Sequence, residues 1–118
     1  TLDGTNGFRL DDSTAQAASG ASVSLLGDLN GDGFADLLVG APSRGSDAGR
    51  AYVVFGQAGG FAANIDLGAL NGTNGFRLDG VATLDRAGQS VAGAGDVNGD
   101  GFDDLIVGAL RADTNGVE

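Results

Sequence analysis

The 118-residue chain contains no histidine, no cysteine and no lysine, and each absence removes a class of chemistry. Without histidine the commonest general base is missing, and without cysteine there are no disulfides, zinc–thiolate sites or cysteine nucleophiles. A Ser-His-Asp mechanism is therefore impossible within this chain. A glycosidase that works through carboxylates alone stays open as an alternative.

The chain also lacks long apolar runs and basic charge. No run approaches the length of a membrane span or of a signal-peptide core, so we expect no membrane insertion and no signal peptide within this segment. Sixteen acidic residues against six arginines give a net charge of −10. Nucleic acids and anionic membranes are therefore poor partners, and cations are good ones.

Proline is nearly absent, with one residue, whereas glycine occurs 23 times. That composition predicts a turn-rich chain of short strands with little or no helix. The chain also repeats itself, because "GTNGFRLD" at 4–11 returns at 72–79, a shift of 68 residues. The same shift aligns 1–50 with 69–118 at 24 identical positions of 50, which indicates one copied unit and about three quarters of another.

Seven short strands are predicted, several of them in unbroken apolar runs such as "LLV" and "YVVF". Strands of that kind lie in sheets that are covered on both faces. Four short strands per repeat of this length indicate all-β propeller blades, that is, short four-stranded antiparallel sheets, about 1.75 of them in this chain. The predicted strands are 8–10, 22–26, 36–40, 50–55, 75–78, 90–94 and 104–108.

The segment "GDLNGDGFADLLVGA" at 27–41 and its copy "GDVNGDGFDDLIVGA" at 95–109 crowd acids and an amide around glycines. Like charges repel, and a divalent cation reverses that repulsion. Donors that are all oxygen select hard ions, and the spacing matches positions 1, 3, 5, 7 and 9 of a calcium loop. The candidate ligands of two Ca²⁺ ions per chain are Asp28, Asn30, Asp32, the Phe34 carbonyl and Asp36, and then Asp96, Asn98, Asp100, the Phe102 carbonyl and Asp104.

Three alternatives bear on this loop. An EF-hand is disfavoured because position 12, which needs a bidentate Glu, is Val39 or Val107, and because the loop leads into a strand. Mg²⁺ fits a flexible loop of carboxylates and a carbonyl less well than Ca²⁺ does. A metal-free Asp/Asn/Gly turn is the third alternative, and the occurrence of two near-identical copies weighs against it.

At these residues the sequence resembles the FG-GAP repeats of the integrin α-subunit β-propeller and their bacterial relatives. "SVSLLGDLNGDGFADLLVGAP" at 22–42, "GRAYVVFG" at 49–56 and "SVAGAGDVNGDGFDDLIVGA" at 90–109 carry the resemblance. The "FG" that opens the family's repeat is replaced by "SG" at 19–20 and "AG" at 87–88. The resemblance implies blade-forming hairpins and assigns the family's calcium ligands to the same ten residues. It also implies an outer strand at "GFRLDG", 75–80.

The resemblance further implies a domain plan in which 1–12 is the outer strand of a preceding blade, 20–80 is one blade and 88–118 is part of a second. A family propeller closes with about seven blades. We therefore expect additional blades, supplied by a longer parent chain or by other copies. The "DLIVG" strand at 104–108 is expected to be an unpaired edge that such a blade would cover.

The leading function is a calcium-binding, non-catalytic scaffold or adhesion module at the cell surface or outside the cell. A protein or glycan ligand would then contact variable loops such as 12–19 and 43–49. The alternatives are a self-assembling subunit of a ring or filament, and the propeller part of a secreted hydrolase.

Overall fold

The computed structural model describes residues 1–13, 17–43 and 48–109, and within them the chain forms only short strands and one 3-10 turn, Leu67–Ala69. These ranges contain no α-helix, and they contain no helix of any kind that is long and apolar enough to span a membrane. The predicted all-β class is confirmed. The strands are β1 Arg9–Asp11, β2 Ser22–Leu25, β3 Leu37–Ala41, β4 Arg50–Val54, β5 Asn64–Asp66, β6 Gly75–Asp79, β7 Ala87–Gly95 and β8 Asp104–Ala109.

The first blade is a four-stranded antiparallel sheet with its strands in the order β2, β3, β4 and β6. The "GFRLD" strand, β6, pairs with β4 at the outer edge in the register Ala51↔Leu78. This is the four-strand unit that the repeat predicts. The ends of these four strands differ from the predicted ones by no more than one residue.

Both faces of the first blade are covered, as the unbroken apolar runs predict. Side chains alternate across a strand, so Tyr52 and Val54 face one way while Val53 faces the other. The first face packs on residues of the β1 and β5 segments, including Leu10 and Ile65. The opposite face packs on Val91, Leu105 and Val107 of the second blade. Phe76 and Leu78, from β6 of the same sheet, pack against the same buried cluster.

The second blade is represented by the antiparallel hairpin β7–β8, which repeats the register of β2–β3. Ser22↔Gly40 in the first hairpin becomes Ser90↔Gly108 in the second, again at the 68-residue shift. Among the described residues β8 pairs only with β7. Residues 110–118 of the predicted second blade lie outside the described residues.

The seam between the two blades is a close approach of two backbones. A Cβ atom built on Gly40 would lie 2.0 Å from the carbonyl oxygen of Gly88, so only glycine fits there. The same Gly88 oxygen accepts a hydrogen bond of 2.9 Å from the hydroxyl of Ser22. Strand β7 therefore begins at Ala87, three residues before its predicted start, because its first residues dock on the first blade.

Two elements that the sequence does not predict lie in or begin in residues 51–68, which have no second copy in the chain. Strand β5 pairs in parallel with β1, in the register Leu10↔Ile65, and the 3-10 turn follows it directly. Asp66 begins that turn by accepting a hydrogen bond from the N–H of Gly68. Leu67 is buried in the core, so this segment closes the first face of the blade.

Candidate metal centre

The two acidic loops, residues 28–36 and 96–104, join the first and second strands of their blades. Each is a strand-to-strand connection, as predicted, and each turns at glycines with positive φ. Gly33 and Gly101 both have φ of 91°, a conformation that disfavours any side chain. The two loops therefore share one backbone conformation at the sixth position.

Asp28 organises the first loop by accepting main-chain hydrogen bonds. Its carboxylate receives the N–H groups of Gly31 at 2.7 Å, Asp32 at 2.9 Å and Gly33 at 2.7 Å. Hydrogen bonds to the ionised form, the one from Gly33 above all, hold the pKa of Asp28 below its ordinary value. The carboxylate is thus ionised and directed into the turn.

Hydrogen bonds within the turn connect Asn30 and Asp32 to Asp28. The N–H of Asp32 lies 2.9 Å from Oδ1 of Asp28 and 3.3 Å from Oδ1 of Asn30, which brings these two side-chain oxygens near one another. Oδ1 of Asp32 in turn accepts the N–H of Phe34 at 2.9 Å. The structure thus gathers the side chains at positions 1, 3 and 5.

Asp36 is the only candidate ligand in the described chain that is fully buried. Its two oxygens accept the N–H groups of Leu29 and Gly56, both at 2.8 Å. No ion pair of Asp36 appears among the described residues, although a buried carboxylate normally needs a compensating charge. The N–H of Gly56, which no loop spacing would reveal, was missed by the sequence analysis.

The second loop repeats the pattern of the first. Asp96 accepts the N–H groups of Asp100 at 3.0 Å and Gly101 at 2.9 Å, and these bonds, that of Gly101 first, lower the pKa of Asp96. Asp104 accepts the N–H of Val97 at 2.8 Å, as Asp36 accepts that of Leu29. Asn98 lies 3.4 Å from the N–H of Asp100.

The donor set fits a hard cation in its chemistry, since every candidate ligand offers oxygen. Across the described ranges, however, no three acidic side chains converge closely enough to hold a metal ion. The carboxylates are directed at main-chain N–H groups instead. Each carboxylate oxygen has a second lone pair, so these hydrogen bonds orient the acids and leave them able to bind a cation.

The two loops also touch each other, through the ring of Phe102, of which only the carbonyl was a candidate ligand, and through Asp103, which the sequence analysis did not assign to the site. A Cβ atom built on Gly31 would lie 2.6 Å from the ring of Phe102. One built on Gly27 would lie 1.6 Å from Oδ2 of Asp103, whose N–H donates to the Asp28 carbonyl at 3.4 Å. The sequence signal for this contact is the replacement of Ala35 by Asp103 between the copies.

The strand order, the repeated hairpin register and the glycine seam define successive blades of a β-propeller. The chain belongs to the FG-GAP repeat family, whose model matches residues 19–54 and 87–117. Strands β2 to β4 of the first blade and the whole β7–β8 hairpin lie within the matched residues.

Integrin alpha subunits are similar to this chain over most of its length. Integrin alpha-V of Gallus gallus is 39% identical over 110 residues, which is 92% of this chain and 10% of that protein. Integrin alpha-2 of Mus musculus is 34% identical over 97 residues, which is 82% of this chain and 8% of that protein. The chain therefore spans a tenth or less of the length of these relatives.

Proposed function

We propose that this chain is a calcium-binding segment of a β-propeller that serves as a scaffold or adhesion module at the cell surface or outside the cell. Its similarity to integrin alpha subunits supports that role and location. The ten oxygen donors of the two acidic loops would hold two Ca²⁺ ions. The ions would join the two strands of each hairpin and stabilise the blades on which variable loops are carried.

The observation that carries the proposal is the buried carboxylate of Asp36. It lies at the ninth position of the loop, in contact with two N–H groups and, within the described residues, with no cationic side chain. A divalent cation held by the same loop would supply the missing charge. Micromolar to millimolar affinity suits an extracellular module, and Ca²⁺ suits the mixed carboxylate and carbonyl donors better than Mg²⁺.

We infer a non-catalytic role, which the residues available support. The chain has no histidine, cysteine or lysine, and the Asp103–Asp104 pair does not recur, since its counterpart is Ala35–Asp36. A protein or glycan ligand would contact the loops 12–19 and 43–49, of which residues 14–16 and 44–47 lie outside the described residues. Nucleic acid is disfavoured by the net charge of −10.

We also propose that further blades complete this unit, with 1–12 as the outer strand of a preceding blade, 20–80 as one blade and 88–118 as part of the next. Val23 and Leu25 are 67% and 68% exposed on β2, beside Leu10 and Leu37. An apolar surface of this kind favours burial. Blades of a longer chain would cover it, and other copies of the chain are the second candidate. Sedimentation over a range of concentrations distinguishes them, because only self-association changes the mass.

The test of calcium binding compares Asp32→Ala and Asp100→Ala in Ca²⁺ and in chelator. Free ion at about a hundred times the dissociation constant stabilises the fold by about 2.7 kcal/mol for each independent site. Each variant should therefore lose one bound ion and melt at a lower temperature in Ca²⁺. In chelator the decrease in melting temperature should be small, because the hydrogen bonds then lost, from the N–H of Phe34 and the side-chain amide of Asn30 or from the N–H of Phe102, are exposed.

Asp3→Ala is the matched control, because Asp3 makes the same kind of turn outside the loops. Its carboxylate accepts the N–H groups of Thr5 at 2.8 Å and Asn6 at 3.0 Å. The Asp3 variant should lose the same stability with and without Ca²⁺. If Asp32→Ala and Asp100→Ala behave like Asp3→Ala, the acids stabilise turns only and the proposal is wrong.

A further inference from the structure

The second acidic loop rests on the first through two side chains that follow its last glycine. The ring of Phe102 covers Gly31 so closely that a Cβ atom there would be 2.6 Å from Cε1. The carboxylate of Asp103 lies against Gly27, next to the first candidate ligand, Asp28, and the Asp103 N–H reaches the Asp28 carbonyl. The contact therefore joins the two proposed cation sites directly.

The contact runs in one direction along the described chain. The residues of the second loop that correspond to Gly27 and Gly31 are Gly95 and Gly99, and neither has any atom within 4 Å of a Cβ built on it. Within the described residues the first loop is therefore covered by a neighbouring loop, whereas none of these residues covers the second on the equivalent side. The covering loop also carries an additional acid, Asp103, where the first loop has Ala35.

We propose that Phe102 and Asp103 are positioning residues for the cation site of the first loop, which makes the two sites unequal and coupled. This inference rests on the proposed calcium binding. The first loop binds its cation more tightly than the second, and filling the second loop strengthens binding at the first. By linkage, filling the first loop strengthens binding at the second by the same factor.

The physical basis is a shared residue. The Phe102 carbonyl is a candidate ligand of the second loop, and its ring packs on the first. A cation that holds this carbonyl in place also holds the Phe102 ring on Gly31, and the ring restricts the glycine turn of the first loop. The first loop then loses less conformational entropy when its own cation binds. Asp103 adds a negative charge beside Asp28, and that charge attracts a cation to the first loop.

The test is a Ca²⁺ titration of the full chain in which the NMR signal of one glycine amide in each loop is recorded at every Ca²⁺ concentration. Gly33 donates to Asp28 and Gly101 donates to Asp96, so each amide reports on its own loop. In the unaltered chain the Gly33 signal should reach its midpoint at a lower Ca²⁺ concentration than the Gly101 signal. Equal midpoints, or the reverse order, would overturn the inequality of the sites.

Phe102→Ala and Asp103→Asn test the coupling. Each should weaken cation binding at the first loop, reported by Gly33, by about threefold to tenfold, in the lower part of the range for the coupling of contacting residues. Asp103→Asn keeps the shape of the side chain, so its effect should shrink at high salt if charge is the cause. The Phe102 ring is 46% exposed, so its removal should leave the fold intact. If Phe102→Ala nevertheless disturbs folding, Asp103→Asn still tests the coupling.

Val97→Ala is the matched control, since that side chain lies in the same loop and is 71% exposed. It should leave the Gly33 midpoint unchanged. If both glycine signals respond to Ca²⁺ but neither Phe102→Ala nor Asp103→Asn moves the Gly33 midpoint, the coupling is wrong and calcium binding stands. If neither signal responds to Ca²⁺ in the unaltered chain, calcium binding itself is wrong.

Discussion

The carboxylate of Asp36 accepts a hydrogen bond of 2.8 Å from the N–H of Gly56, twenty residues further along the chain. The bond ties the end of the first acidic loop to the segment that follows β4. The other oxygen of Asp36 holds the N–H of Leu29, inside the loop. One buried acid thus fixes the loop to the segment that directly follows the third strand of its blade.

Asp36→Ala should lower the free energy of unfolding even in chelator, because two N–H groups lose their acceptor. A buried unsatisfied group costs about 1 to 3 kcal/mol, so the two groups together should cost about 2 to 6 kcal/mol in urea denaturation. Asp104→Ala is the control, since Asp104 is partly exposed and accepts a hydrogen bond from Val97 alone among the described residues. Equal losses for the two variants would show that the bond to Gly56 contributes nothing.

Acid should destabilise the cation-free protein through Asp28 and Asp96. Because main-chain hydrogen bonds lower the pKa of both groups, their contribution is complete above the ordinary aspartate value of 3.8 and is lost as the pH falls through the lowered folded value. Urea denaturation at pH 7 and pH 3 measures the change. The double variant Asp28→Asn, Asp96→Asn should show a smaller pH dependence, and an unchanged dependence would refute this assignment.

The blade seam should reject a side chain at Gly40. Gly40→Ala would place a methyl group 2.0 Å from the Gly88 carbonyl oxygen, in the backbone of the next blade, and should cost about 1 to 3 kcal/mol. Gly108→Ala is the matched control from the second copy, because its nearest obstacle is the rotatable hydroxyl of Ser90. Thermal denaturation should show the larger loss for Gly40→Ala, and equal losses would argue against a rigid seam.

The repeat made most of the fold predictable. The two copies of the acidic loop identified both hairpins, and the apolar runs around Leu38 and Val53 predicted a sheet buried on two faces, as observed. Strand β5 and the 3-10 turn were not predicted because they are short and have no second copy. Their position depends on a parallel pairing of Ile65 with Leu10, across more than fifty residues.

The site was less predictable than the fold. Spacing within the loop suggested the candidate ligands, and hydrogen bonds connect the three at loop positions 1, 3 and 5, which are Asp28, Asn30 and Asp32. Spacing carries no information on partners outside the loop, such as the Gly56 N–H for Asp36 or the Phe102 ring for Gly31. Those partners depend on how strands and blades pack, which is decided only in the folded chain.

The most direct test of the central claim is the number of Ca²⁺ ions bound per chain, counted by native mass spectrometry with Ca²⁺ and with chelator. Two acidic loops of the same conformation predict two ions per chain in Ca²⁺, and one ion each for Asp32→Ala and Asp100→Ala. Replacing Ca²⁺ by Mg²⁺ at the same concentration should give lower occupancy. A folded chain that binds no ion at millimolar Ca²⁺ would contradict the account.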